Sequence, residues 1–175
     1  MAAFIRAINT GGRRLTNTDL LRPFHALGLS DAAAYQAAGN VVFTTTDDPL
    51  DLETQLTTSL GEAYGFDAPT FVRTLAHLRA CVTDLPFPAE LVASTEGRTQ
   101  ITFLAQAPDD VLVAEVLALV PPDDAVAFVG REWFWLPRAG VSESQLPVTR
   151  IERIVGPMTM RTVGTVERMV AKHAD

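Results

Sequence analysis

Tyr35-Gln-Ala-Ala-Gly-Asn-Val-Val-Phe43 is the stretch from which the rest of the chain can be read. Glycine and asparagine tolerate positive φ, so Gly39-Asn40 between two segments rich in strand formers predicts a hairpin turn or a bulge. The arms of that hairpin are Ala33 to Gln36 and Val41 to Thr45. Upstream, Thr16 to Leu27 carries Leu20, Leu21, Phe24 and Leu27 at helical spacing. Asn17 or Thr18 is the expected N-cap and Gly28 the stop. Pro23 inside this run predicts a kink or a late helix start. Earlier still, Phe4 to Asn9 reads as a strand that runs out at Gly11-Gly12. Downstream, Asp48-Pro49 opens a helix buried along Leu52, Leu56 and Leu60, and Thr70 to Arg73 is a fourth strand. The order is βαββαβ, a ferredoxin-like unit.

The second half reads the same way. Ala76 to Thr83 is a connecting helix, broken by Pro86-Phe87-Pro88 into a linker. Strand Thr99 to Ala105, helix Pro108 to Leu119 and a hairpin of Ala125 to Val129 with Trp133 to Leu136 follow, turning at Gly130-Arg131. Ser142 to Val155 is helical with an interruption at Pro147, and Gly156-Pro157 stops it. Met158 to Arg161 is a short strand and Val163 to Lys172 a closing helix. The expected protein is therefore α+β, with two ferredoxin-like halves in tandem, an internal duplication, and a C-terminal helix. Residues 1–75 form the first half, 76–97 the connecting helix and Pro-rich linker, and 98–175 the second half. One short echo links them, Arg73-Thr74 and Arg161-Thr162, each at the end of a half's last strand.

Composition narrows the function classes. A chain of 175 residues buries about 70% of its unfolded surface, enough for a core without metals or disulfides. The lone Cys81 has no partner for an internal bridge. No run approaches the roughly 18 apolar residues of a membrane span, and the N-terminus lacks a signal-peptide pattern. A reducing cytoplasm is the expected compartment, with no membrane association. The formal net charge of −7 counts against nucleic acid as a partner, because non-specific binding draws on Lys and Arg at phosphates. Lys172 is the sole lysine, and Arg6, Arg13, Arg14 and Arg22 make one small basic cluster.

Candidate site residues gather at strand ends. Arg6 stands on a strand between apolar neighbours, where a charge is costly unless paired. It either grips an anion with its planar fork or makes a structural bond. Asn9, Gly11 and Gly12 adjoin it and lead toward a helix start, where backbone N–H groups favour anions. The run matches neither of the established phosphate-binding glycine motifs. Asn40 reads mainly as turn chemistry, with its amide as a lesser ligand candidate. Arg73 and Arg161 each precede a threonine suited to cap the next helix, and an arginine beside a helix N-terminus is an anion site. His77 and Cys81 are four apart and share a helix face, but no second pair completes a metal site, and no cofactor is expected. Trp133 and Trp135 share one strand face, as base stacking or core packing would require.

Three motifs resemble the domain-of-unknown-function 1697 family. Its Arg-Gly-Ile-Asn-x-Gly-Gly pattern is matched by Arg6-Ala-Ile-Asn9-Thr-Gly11-Gly12 and its Tyr-x-x-Ser-Gly-Asn-Val-Val-Phe pattern by Tyr35 through Phe43. Its Thr-x-Arg-Asn-x-x-Thr pattern is matched by Thr159-Met-Arg161-Thr162-Val-Gly-Thr165. Ala7 replaces a glycine, Ala38 a serine and Thr162 an asparagine. The resemblance spans nearly the whole chain and agrees with a duplicated fold, but the family carries no assigned activity.

Three functions stay open at this level. The first is a cytoplasmic protein that binds a small anionic or phosphate-containing ligand through Arg6, Asn9, Gly11, Gly12 and Asn40, with Arg73 or Arg161 opposite. The second is an RNA-binding module on a ferredoxin-like sheet. The third is an enzyme of unrecognised type, for which the sequence names no nucleophile or acid–base pair. Ligand identity and oligomeric state are not legible.

Overall fold

The computed structural model describes residues 1–6, 8, 15–36, 39–95 and 98–173. These residues form a mixed α+β structure with seven helices and two four-stranded antiparallel sheets. The chain divides into two compact units, Met1–His77 and Leu78–Asp175.

In the first unit, β1 (Ala2–Ile5), α1 (Asn17–Ala26), β2 (Ala33–Ala34), β3 (Asn40–Val42), α2 (Pro49–Tyr64) and β4 (Thr70–Arg73) follow in turn. The sheet order is β2-β3-β1-β4. Alternation sends Ala3, Ile5, Val41 and Val72 to the face that packs on Leu20 and Phe24 of α1 and Leu52, Leu56 and Leu60 of α2. Local chemistry fixes the ends of those helices. Thr16 accepts from the Asp19 N–H, and Asp19 reaches back to Thr16 in a capping box. Asp48 accepts from the N–H groups of Leu50 and Asp51 ahead of Pro49, and Gly65 ends α2 in the left-handed region at φ 70°.

Three sequence readings need correcting here. The N-cap of α1 is Thr16, one residue before the expected pair, because only there does Asp19 fall at the third helical position. Pro23 neither delays nor ends α1, which runs through it to Ala26. β2 is also shorter than expected, since Gln36 takes a φ of 57° and leaves the extended region.

The second unit begins within α3 (Leu75–Thr83) and continues with α4 (Ala89–Ser94), β5 (Gln100–Leu104), α5 (Asp110–Leu117), β6 (Ala125–Val129), β7 (Glu132–Leu136), α6 (Val148–Val155), β8 (Met158–Thr162) and α7 (Val163–Lys172). Its sheet order is β6-β7-β5-β8. Leu104, Trp133, Trp135 and Met158 face Val116, Leu146 and Ile151 in its core. The Pro-rich segment holds a helix that the sequence reading lacked, α4, which starts directly after Pro88. Conversely, 142–147 is not helical, and α6 begins at Val148. Proline disfavours helical backbone in the residue before it, and the Pro147 carbonyl instead accepts the first bonds of the helix, from Arg150 and Ile151 N–H.

The two sheets repeat each other in detail. Ile5 N–H donates to the Gly39 carbonyl at 2.7 Å, and Leu104 N–H to the Arg131 carbonyl at 2.9 Å. Phe4 lies between Asn40 and Phe71, and Phe103 between Glu132 and Thr159. Arg73 is opposite Ala2, and Arg161 opposite Ile101. No helix among the described residues is long and apolar enough to cross a membrane.

Candidate functional site

Each unit places an arginine at the end of its last strand, followed by a threonine that starts a helix. Thr74 Oγ1 accepts from the His77 N–H at 3.0 Å, and Thr162 Oγ1 accepts from the Thr165 N–H at 3.2 Å. The paired Arg-Thr steps of the sequence are thus one local structure built twice. Threonine, like asparagine, is among the preferred N-cap residues, so the departure at position 162 keeps the cap.

The arginines themselves are held differently. Arg73 is buried, and its Nη1 donates to Glu53 Oε1 at 2.6 Å and to the Val72 carbonyl at 2.9 Å. The same Glu53 oxygen accepts the Val72 N–H at 2.9 Å, so α2 clamps both side chain and backbone of β4. Arg161 Nη1 donates to Thr159 Oγ1 and to the Met160 carbonyl, each at 2.8 Å. Burial pulls the Arg161 guanidinium down from its ordinary range to about 10. Beside it, at the first turn of α7, Thr162 and Thr165 share a hydroxyl–hydroxyl bond of 2.8 Å, and Arg168 Nη2 donates to Thr165 Oγ1 at 3.4 Å.

The other expected residues fall into two groups. Arg6 is half-buried just past β1, and its backbone N–H donates to the Pro69 carbonyl at 2.9 Å. Asn9, Gly11 and Gly12 lie outside the described residues, as do Arg13 and Arg14. Arg22 pairs with Asp19 on α1 at 2.9 Å. Asn40 is fully buried at the head of β3, where its Nδ2 donates to the Tyr35 carbonyl at 3.3 Å and its own carbonyl accepts the Tyr35 N–H at 2.8 Å. That closes the hairpin loop, as the turn reading expects. Ala2 and Phe4 share one face of β1, so Asn40 and Arg73, opposite them on either side, share that face of the first sheet.

Two partners escaped the sequence reading. Glu53 follows a core leucine on α2, and nothing in helical periodicity marks it as the counter-ion of a strand 20 residues on. Thr159 had a signal. It stands two residues before Arg161, and residues at that spacing on a strand share a face. The tryptophans resolve toward packing, with Trp133 fully buried and Trp135 nearly so, leaving neither to stack on a base.

Comparison with known proteins agrees with these motifs. A family model described as a protein of unknown function, DUF1697, matches residues 1–134. The chain belongs to this family. Among solved structures, it is similar to the conserved bacterial protein SP0830 from Streptococcus pneumoniae. The two are 23% identical over 99% of this chain and 97% of that one, with a TM-score of 0.76. That likeness speaks for the fold. No curated protein matches the chain.

Proposed function

We propose that this protein binds a small anionic or phosphate-bearing ligand, with the Arg161-Thr162 end of β8 as its principal contact. The observation that carries the reading is the place of the largely buried Arg161, directly before the Thr162 cap at the start of α7. The planar guanidinium fork suits phosphate or carboxylate oxygens. The positive end of the α7 dipole acts in the same direction. Arg73, at the matching position of the first unit, already engages a carboxylate, which indicates the kind of group this place accommodates. In the first unit the candidate contact is Arg6, just past β1 and shortly before Asn9, Gly11 and Gly12 in sequence.

We also infer that each unit is a ferredoxin-like module and the chain an internal duplication. The shared element order, shared strand order and the matched rungs around Phe4 and Phe103 support this. A cytoplasmic setting fits the lone cysteine, and the net charge of −7 counts against nucleic acid as the ligand.

A melting-shift screen with inorganic phosphate, pyrophosphate and mononucleotides tests the binding. At least one should raise the melting temperature of the native chain and not that of Arg161→Gln, with Arg161→Lys intermediate. An equal shift in Arg161→Gln, or none from any of these anions, overturns the proposal.

A further inference from the structure

We propose that β6 (Ala125–Val129) is a self-association edge, which pairs antiparallel with β6 of a second copy of this chain. β6 stands at the edge of the second sheet, hydrogen-bonded to β7 alone. The direction of its backbone groups follows from its neighbours. The Arg131 carbonyl accepts the Leu104 N–H on the β5 side. Strand alternation then turns the backbone groups of Trp133 and Trp135 toward β5, and those of Glu132, Phe134 and Leu136 toward β6. Their rung partners Val129, Ala127 and Ala125 are therefore bonded to β7, whereas Val126 and Phe128 aim N–H and carbonyl outward. Among the described residues, no hydrogen bond meets those outward groups.

Exposed edges usually carry a device against further pairing, such as shortness, a charge or a proline. β2 is two residues long, and β4 and β8, at the other edges, each contain an arginine. β6 is five residues, Ala-Val-Ala-Phe-Val, with no charge, proline or glycine. Its own copy fits it. With the twofold axis at Ala127, Val126 of each copy faces Phe128 of the other, and these are the residues whose backbone groups point outward. Each such rung exchanges two N–H···O bonds, and an aromatic residue opposite a β-branched one is a favourable cross-strand pair. Ala127 meets Ala127 on the axis and Ala125 meets Val129, so a small side chain stands on each of these rungs and no like charges face one another. Phe128 is already held for the contact, its ring stacked on Trp133 at 5.9 Å and 23°. Pairing occupies the outer edge of both copies, so association stops at two. The interface is independent of the anion contact proposed at Arg161.

Sedimentation velocity of the full chain at increasing concentration tests this. Salt of about 0.15 M screens the repulsion between two chains of net charge −7. The expected result is a reversible monomer–dimer equilibrium. Ala127→Lys and Ala127→Glu each set like charges opposite one another on the axis and should leave monomers, while an equimolar mixture of the two should dimerise again. Ala127 is half-buried, so Val129→Lys, at a position 53% exposed, is a second variant that spares the fold. Its edge lysine should weaken the dimer. A native chain that stays monomeric up to about 1 mM, or that grows beyond dimers, overturns the proposal. So does dimerisation unchanged in Val129→Lys, or a mixture of folded Ala127 variants that remains monomeric.

Discussion

The hydroxyl of Tyr64 on α2 donates to the backbone carbonyl of Asp19 on α1. That carbonyl lies four residues before Pro23, so it is the one whose helical donor proline removes. The helix therefore continues through Pro23 because a neighbouring helix supplies the missing donor. Burial raises the Tyr64 hydroxyl's pKa, with Asp19 adding to the rise and Arg22 opposing it, which keeps the hydroxyl a donor through neutral pH. Tyr64→Phe should cost about 1 kcal/mol in urea unfolding, the net worth of one such bond. In a Pro23→Ala background the same change should cost measurably less, because the backbone N–H then returns to the Asp19 carbonyl. Additive losses in that double-mutant cycle would disprove the link.

Arg73 and Glu53 form a buried pair with side-chain exposures of 4% and 10%. Removing one partner strands the other charge, so Glu53→Gln should destabilise by about 3–5 kcal/mol. Arg73→Met with Glu53→Leu removes both charges and should recover much of that loss, although the Val72 N–H then loses its acceptor. Chemical denaturation of the two variants checks the order.

Asp31 supplies a pH signature. Both of its carboxylate oxygens accept the Thr44 N–H, at 2.9 and 3.2 Å. Bonds from Thr44, through its hydroxyl and its backbone, hold the carboxyl below its ordinary range, with burial opposing and the N-terminal amine helping slightly. A carboxyl depressed on folding stabilises fully above its unfolded pKa, and that stability disappears as pH falls through the folded value. Asp31→Asn should therefore reduce stability at neutral pH and flatten the acid limb of the stability curve. An unchanged acid limb in pH-dependent denaturation would count against the tie.

What could be read from sequence was chemistry confined to one turn of chain. Asp48-Pro49 marked the start of α2, Thr162 the cap of α7, and Gly130-Arg131 the β6–β7 turn, because each acts on its immediate neighbours. Element order followed from these stops and from the spacing of residues such as Leu52, Leu56 and Leu60. Reading failed where a distant residue changed the outcome. Pro23 looks disruptive until Tyr64 is placed beside Asp19, and the partner of Arg73, Glu53, comes from 20 residues earlier in the chain. Arg161 stays a candidate through its place in the chain, directly before the Thr162 cap of α7.

The glycine of the opening stretch separates two kinds of constraint. Gly39 has φ 69°, and a Cβ there would sit 2.8 Å from the Ile5 carbonyl oxygen and 3.3 Å from the Ile8 side chain. The same Ile5 residue donates its N–H to the Gly39 carbonyl, so β3 cannot move away without breaking the ladder to β1. Gly28 has a similar φ of 83° but open space around it. Alanine at Gly28 should therefore cost only the left-handed backbone penalty of about 1 kcal/mol. Alanine at Gly39 adds a backbone clash and should cost about 2 kcal/mol more, in the range of strained positions. Urea midpoints for the two variants measure the difference directly. Equal losses would mean that the hairpin needs glycine for its φ alone, and that the close approach of β3 to β1 can relax.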